Sequence, residues 1–120
     1  MTTPNIFLYV QNLLGIGHLR RAAAISRALT EIGLDVNFVS GGFPIPNLNV
    51  GSAKFHQLPL VRSLDRNFKL LVDETGQKID DKWRQNRCST LLNLFEETKP
   101  SIILTELFPF GRRQFRFDLI

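Results

Sequence analysis

Residues 6–42, IFLYVQNLLGIGHLRRAAAISRALTEIGLDVNFVSGG, decide how the rest of the chain is read. They open with an unbroken apolar run, Ile6 to Val10, rich in β-forming residues and ended by Gln11, Asn12 and the glycines. A run with no polar alternation suits a strand buried on both faces, so it reads as a parallel strand. From His18 to Ile32 the period changes. Ala22, Ile25, Leu29 and Ile32 recur at steps of three and four, Arg20, Arg27 and Glu31 take the opposite face, and Gly33 is placed as the C-cap. DVNFVS, residues 35–40, then alternates and stops at Gly41 and Gly42, which gives a second strand. Strand, helix, strand is a βαβ unit whose crossover is almost always right-handed, so the two strands lie parallel and adjacent.

Downstream, KFHQLPLV (54–61) holds a third short strand limited by Pro59. Residues 62–79 are an irregular excursion or small hairpin, because LVDETGQKI is polar and carries a glycine. Asp80 and Asp81 put negative charge at a helix start, and Cys88, Leu91, Leu92 and Phe95 supply its apolar stripe up to Lys99, where Pro100 stops it. SIILTELF (101–108) follows as a fourth strand centred on Ile102 to Leu104, and residues from Phe110 onward begin another helix carrying Arg112, Arg113 and Arg116. Alternating strands and helices predict an α/β fold, a Rossmann-like doubly wound parallel sheet of order 3-2-1-4. Ligands of such sheets bind beyond the carboxyl ends of the strands where the order reverses, here between strands 1 and 4. LLGIGH (13–18) and TELFPFG (105–111) flank that crevice, and SGGFPIP (40–46), with Gly41 and Gly42, forms its outer wall.

Composition sets the bounds. With 120 residues, 43% apolar and 22% charged, the chain carries one hydrophobic core and at most a single domain. The balance of 15 Lys and Arg against 11 Asp and Glu gives +4, part of it from Arg112, Arg113 and Arg116. A mildly basic chain suits anionic ligands or peripheral contact with an acidic membrane surface; its arginines are not interleaved with aromatics in a stripe, so a nucleic-acid partner is not expected. The single Cys88 allows no internal disulfide, the N-terminus has no basic n-region, and no apolar stretch approaches the roughly 18 residues of a membrane span. The chain therefore reads as cytoplasmic.

The glycine loop excludes two common sites. A dinucleotide fingerprint needs a third glycine where Arg20 stands, and an acidic residue where strand 2 instead ends in Ser40, Gly41 and Gly42. A P-loop needs Gly-Lys-Ser/Thr, but Gly17 is followed by His18 and Leu19. What remains is a helix N-terminus with unpaired N–H groups that Gly15 and Gly17 let a ligand approach, and His18 placed as a candidate general base. The same spacing also fits a plain strand-to-helix turn with a capping histidine. Glu106, directly after an apolar strand, is a candidate partner for His18 or for a substrate hydroxyl, with helix capping as the alternative. Arg112 and Arg113 are candidate phosphate clamps or a solvated basic face. His56 reads as a hydrogen-bonded structural histidine, Trp83 as core and Cys88 as buried and inert; no residue spacing suggests a metal site.

Three stretches, LYVQNLLGIGHLRRAAAISRAL, VSGGFP and LTELFPFGRRQFRF, resemble the N-terminal part of bacterial predicted glycosyltransferases related to glycosyltransferase family 28. That group includes the enzyme that adds N-acetylglucosamine to lipid-linked peptidoglycan precursors. The resemblance implies a GT-B architecture: two Rossmann-like domains across a cleft, the acceptor held mainly by the N-terminal one and the nucleotide-sugar by the C-terminal one. Residues 1–120 would then be a partial N-terminal acceptor-side domain, an incomplete half of that fold with the donor-binding domain absent. It further implies a hexosyl transfer from a nucleotide-sugar co-substrate to a hydroxyl acceptor, with no metal or other cofactor. His18 is implied as the base or as a group that positions donor phosphate, Glu106 as its partner, and Gly15 and Gly17 as acceptor-side loop. The peptidoglycan enzyme's loop is richer in glycine and lacks Arg20–Arg21, so its acceptor does not carry over. A non-catalytic α/β module binding a phosphorylated ligand is the competing expectation. Strand edges left open predict self-association.

Overall fold

The computed structural model describes residues 3–11, 17–64 and 70–106. Among them the chain forms β1 (Asn5–Val10), α1 (Gly17–Glu31), β2 (Asp35–Ser40), β3 (Lys54–Gln57), β4 (Arg62–Ser63), β5 (Leu71–Val72), α2 (Asp81–Thr98) and β6 (Ile102–Glu106). Four strands make one parallel sheet in the order β3-β2-β1-β6, the order that the sequence pattern predicts, with β6 as its fourth strand. β4 and β5 form a separate antiparallel pair, extended by a bridge between Val72 and Lys78, inside the predicted excursion. The architecture is a Rossmann-like α/β fold.

β1 is the centre of the core, and its pleat explains its composition. Ile6, Leu8 and Val10 point to the α1 side with Val36 and Phe38, while Phe7 and Tyr9 point to the α2 side with Val39, Leu58 and Leu91. Both faces of the strand are covered, so no position in IFLYV is free to be polar. Each such apolar side chain contributes roughly 1.5–3 kcal/mol by leaving water.

α1 ends in a Schellman motif. Gly33 takes φ 87°, its N–H donates to Thr30 O at 3.1 Å, and Leu34 N–H donates to Leu29 O at 3.1 Å. The helix buries Leu19, Ala22, Ala23 and Ser26, and Ser26 Oγ donates to Val50 O at 2.7 Å. Ile32, expected on the buried face, is 72% exposed, because it occupies the cap position where the chain has already left the helix.

α2 starts and stops where the sequence predicts. Asp80 Oδ1 accepts from Trp83 N–H at 2.8 Å, and Lys99 closes the helix in the left-handed region (φ 46°) before Pro100. Its buried face differs from expectation. Arg87 and Leu91 are buried with Trp83 and Leu94 half-buried beside them, whereas Leu92 is exposed, Cys88 is only half-buried, and Phe95 lies at the rim with its edge against Phe7 at 5.7 Å. Burial of Arg87 turns the helix so that the line Trp83, Arg87, Leu91, Leu94 meets the sheet.

A directional polar ladder crosses the α2 face. His56 Nε2 lies 3.0 Å from Asn37 Oδ1, Asn37 Nδ2 donates to Asn5 Oδ1 at 2.8 Å, and Asn5 Nδ2 donates to Thr98 O. Because Asn37 spends its amide on Asn5, its oxygen accepts, and His56 presents the N–H at Nε2. Burial, then Lys54, holds the His56 pKa below the ordinary 6.5, while Glu97 opposes them. A histidine with a folded pKa below its unfolded value binds fewer protons when folded, so its contribution is complete above pH 6.5 and is lost as pH falls through the folded pKa. Urea midpoints measured from pH 7.5 downward are expected to fall more steeply in the wild type than in His56→Gln; parallel slopes would show that His56 does not carry this dependence.

β6 is a sheet edge among the described residues, and its Ile102 and Ile103 are 46% and 53% exposed. Among the described residues no helix is long and apolar enough to cross a membrane.

Candidate ligand site at the carboxyl ends of the strands

Strand register brings four carboxyl-terminal residues into one row: Gln57 beside Ser40, Ser40 beside Val10, and Val10 beside Glu106. From β1 the chain moves outward to β2 and β3, then returns to β6 on the other side, so strand order reverses at β1. The crevice that such a reversal opens lies between β1 and β6, and α1 begins next to it.

The predicted site residues divide accordingly. Gly17 and His18 are the first two residues of α1; Gly17 is exposed and His18 half-exposed. The backbone of Glu106 pairs with Val10 at the crevice. Gly15, Arg112 and Arg113 lie outside the described residues. Gly41 and Gly42 follow β2 and are buried.

Gly17 and Gly41, both placed at the ligand crevice by the sequence, differ in what surrounds them. Among the described residues a side chain at Gly17 would meet nothing within 4 Å, and its backbone lies outside the left-handed region, so none of their packing, nor its own conformation, requires glycine there. Bulk at Gly17 is thus not expected to disturb the packing of the described residues. At Gly41 a side chain would collide with the Arg87 guanidinium, whose Cζ stands 2.8 Å from the Cβ position, and with Gln11 Oε1. Glycine there is a packing requirement, which is a reason distinct from the ligand approach that the sequence suggests.

Arg87 is the residue that sequence reasoning missed. It reaches from α2 to the carboxyl ends of the sheet with 0% exposure. Nη2 donates to Tyr9 Oη at 2.6 Å and to Gln11 Oε1, and Nη1 makes longer contacts to Gly41 O (3.4 Å) and Pro59 O (3.5 Å). Its guanidinium carbon lies 5.5 Å from the Trp83 ring centroid and 6.0 Å from that of Tyr9, a cation–π arrangement out of water. Gln57 adds a second tie: its Nε2 donates to Ser40 O, Gly42 O and Leu58 O at 2.9–3.1 Å. Ser40 Oγ is buried with no hydrogen-bond partner among the described residues.

The two helix starts differ electrostatically. α2 follows the usual rule, with Asp80 as cap and Asp81 in the first turn. α1 has no acidic residue in its first turn, and Arg20 is exposed there, where the helix dipole disfavours a cation. Beyond the Gly41–Gly42 turn, the Arg62 guanidinium lies 5.3 Å from the Phe43 ring centroid. A shallow surface hollow lined by Arg27, Thr30, Asn49 and Ser52 lies at the far end of α1, away from this crevice. Among the described residues no group of three His, Cys, Asp or Glu side chains could hold a metal ion.

No protein-family model, curated protein or solved structure matches the chain.

Proposed function

We propose that the chain is the acceptor-side part of a nucleotide-sugar-dependent glycosyltransferase of the GT-B type. In this reading His18 takes the proton from an acceptor hydroxyl while its oxygen bonds to the anomeric carbon of the donor. The nucleoside diphosphate leaves with the electron pair of the broken bond. Glu106 is the candidate partner of the imidazole, the first turn of α1 stabilises the departing phosphates, and Arg112 and Arg113 are candidate clamps for them. One observation carries the reading: α1 starts at the point of strand reversal with an open glycine, a half-exposed histidine, an exposed arginine and no acid. The resemblance of GIGHLRRA and TELFPFGRRQF to the family's motifs supplies the reaction class. The β6 edge, open among the described residues, is where a further strand or a second copy of the chain would add.

In a protein that also contains the donor-binding domain, amide NMR shifts during titration with nucleoside-diphosphate sugars test the site. Shifts concentrated at Gly17, His18 and Leu19 are expected, and Gly17→Val is expected to abolish them while changing stability by less than about 1 kcal/mol. Shifts scattered over the surface, or unaltered by that substitution, would remove the cradle. In a protein that also contains the donor-binding domain, His18→Ala is expected to lower transfer about 10²–10⁴-fold with unchanged circular dichroism. Undiminished transfer removes the base role, and binding with no turnover in that protein favours the non-catalytic module.

A further inference from the structure

We propose that Arg87 is a latch that holds the segments at the carboxyl-end mouth in one fixed arrangement before any ligand arrives. This stands apart from the glycosyltransferase reading, since it concerns how the mouth is shaped and not what enters it.

Three separately folded stretches meet at this side chain. The end of β1 contributes Tyr9 and Gln11, the turn after β2 contributes Gly41, and the segment after β3 contributes Pro59. The backbone among them is thinly tied: Gly41 N–H to Val10 O (3.0 Å), Leu58 N–H to Ser40 O (2.8 Å) and Val61 N–H to Gly41 O (3.3 Å). These bonds extend past the last paired residues of the strands, where a ladder would ordinarily fray. A planar guanidinium with donors in a fixed fork can bridge several acceptors at once, which an ammonium cannot. Gly41 lets the fork lie against the backbone, and Trp83 covers its other side. The arrangement spends a desolvated cation on loop geometry, which is costly unless the geometry itself is needed.

Site-resolved amide exchange tests this on the chain as it stands. Arg87→Lys is expected to speed exchange at Gly41, Leu58 and Val61 by about tenfold or more relative to the sheet amides of Leu8 and Phe38. Leu91→Ala, which removes an apolar contact one turn along the same helix face, is expected to speed all of these amides by a common factor. Tyr9→Phe deletes one acceptor without touching the charge and is expected to loosen the same three amides by a smaller factor, so the test survives if the lysine variant does not fold. The proposal is overturned if both Arg87→Lys and Tyr9→Phe leave the ratio of mouth to sheet exchange within about twofold of wild type, or if Leu91→Ala shifts that ratio equally.

Discussion

Arg87→Ala is expected to lower the unfolding free energy by about 3–5 kcal/mol, a large part of the stability of a domain this size. Two effects oppose each other. Removing a guanidinium with 0% exposure relieves a desolvation cost of several kcal/mol. Against it, Tyr9 Oη and Gln11 Oε1 each lose a charge-assisted hydrogen bond in a water-poor site, at about 1.5–3 kcal/mol apiece, Gly41 O keeps only its bond from Val61 N–H, and the truncation leaves a cavity beside Trp83. The losses win because they are several and the relief is single. Arg87→Met fills the volume without restoring donors and is expected to cost less, about 2–3 kcal/mol. Arg87→Lys keeps charge and some donors and is expected to cost about 1–2 kcal/mol. Urea midpoints with unchanged slope measure all three. A methionine variant as stable as wild type would mean that burying the cation is a net cost, and the network would then not be stabilising.

The sheet is legible in the sequence for a physical reason. A strand covered on both faces excludes polar residues, so Ile6 to Val10 announces the centre of a parallel sheet, and Gly33, with its positive φ, marks where α1 must end. The candidate site is legible only in part. Gly17 and His18 are readable because a strand-to-helix turn places them by topology alone. Arg87 is not, since a charge among Leu91, Leu92, Leu94 and Phe95 reads by default as solvated, and the apolar stripe can be drawn equally well through Cys88 and Leu92. One signal was present. Trp83, Arg87 and Leu91 recur at intervals of four, and a glycine pair ends β2, so a large aromatic aligned with an arginine was available to suggest the buried face. Which line faces the sheet is decided by Tyr9, Gln11 and Gly41, residues far away in the chain, and such a choice is invisible to local periodicity.

Gly41→Ala is expected to cost about 2–3 kcal/mol, and the reason can be isolated by where that cost disappears. The added methyl would enter the space of the guanidinium and of Gln11 Oε1. A flexible side-chain end usually yields cheaply, but this one is fixed on its far side by Tyr9 and flanked by Trp83. Yielding therefore breaks bonds. In an Arg87→Ala background the guanidinium is gone and only the end of the Gln11 side chain remains in the way, with the cavity left behind to move into, so the same substitution is expected to cost under about 1 kcal/mol there. The two changes should thus be strongly sub-additive, with a coupling of about 1–2 kcal/mol in a double-mutant cycle, whereas independent sites add within about 0.5 kcal/mol. Additivity would place the need for glycine at position 41 elsewhere, in the turn itself or in a ligand's approach. Coupling would show that the glycine after β2 exists to receive the arginine of α2.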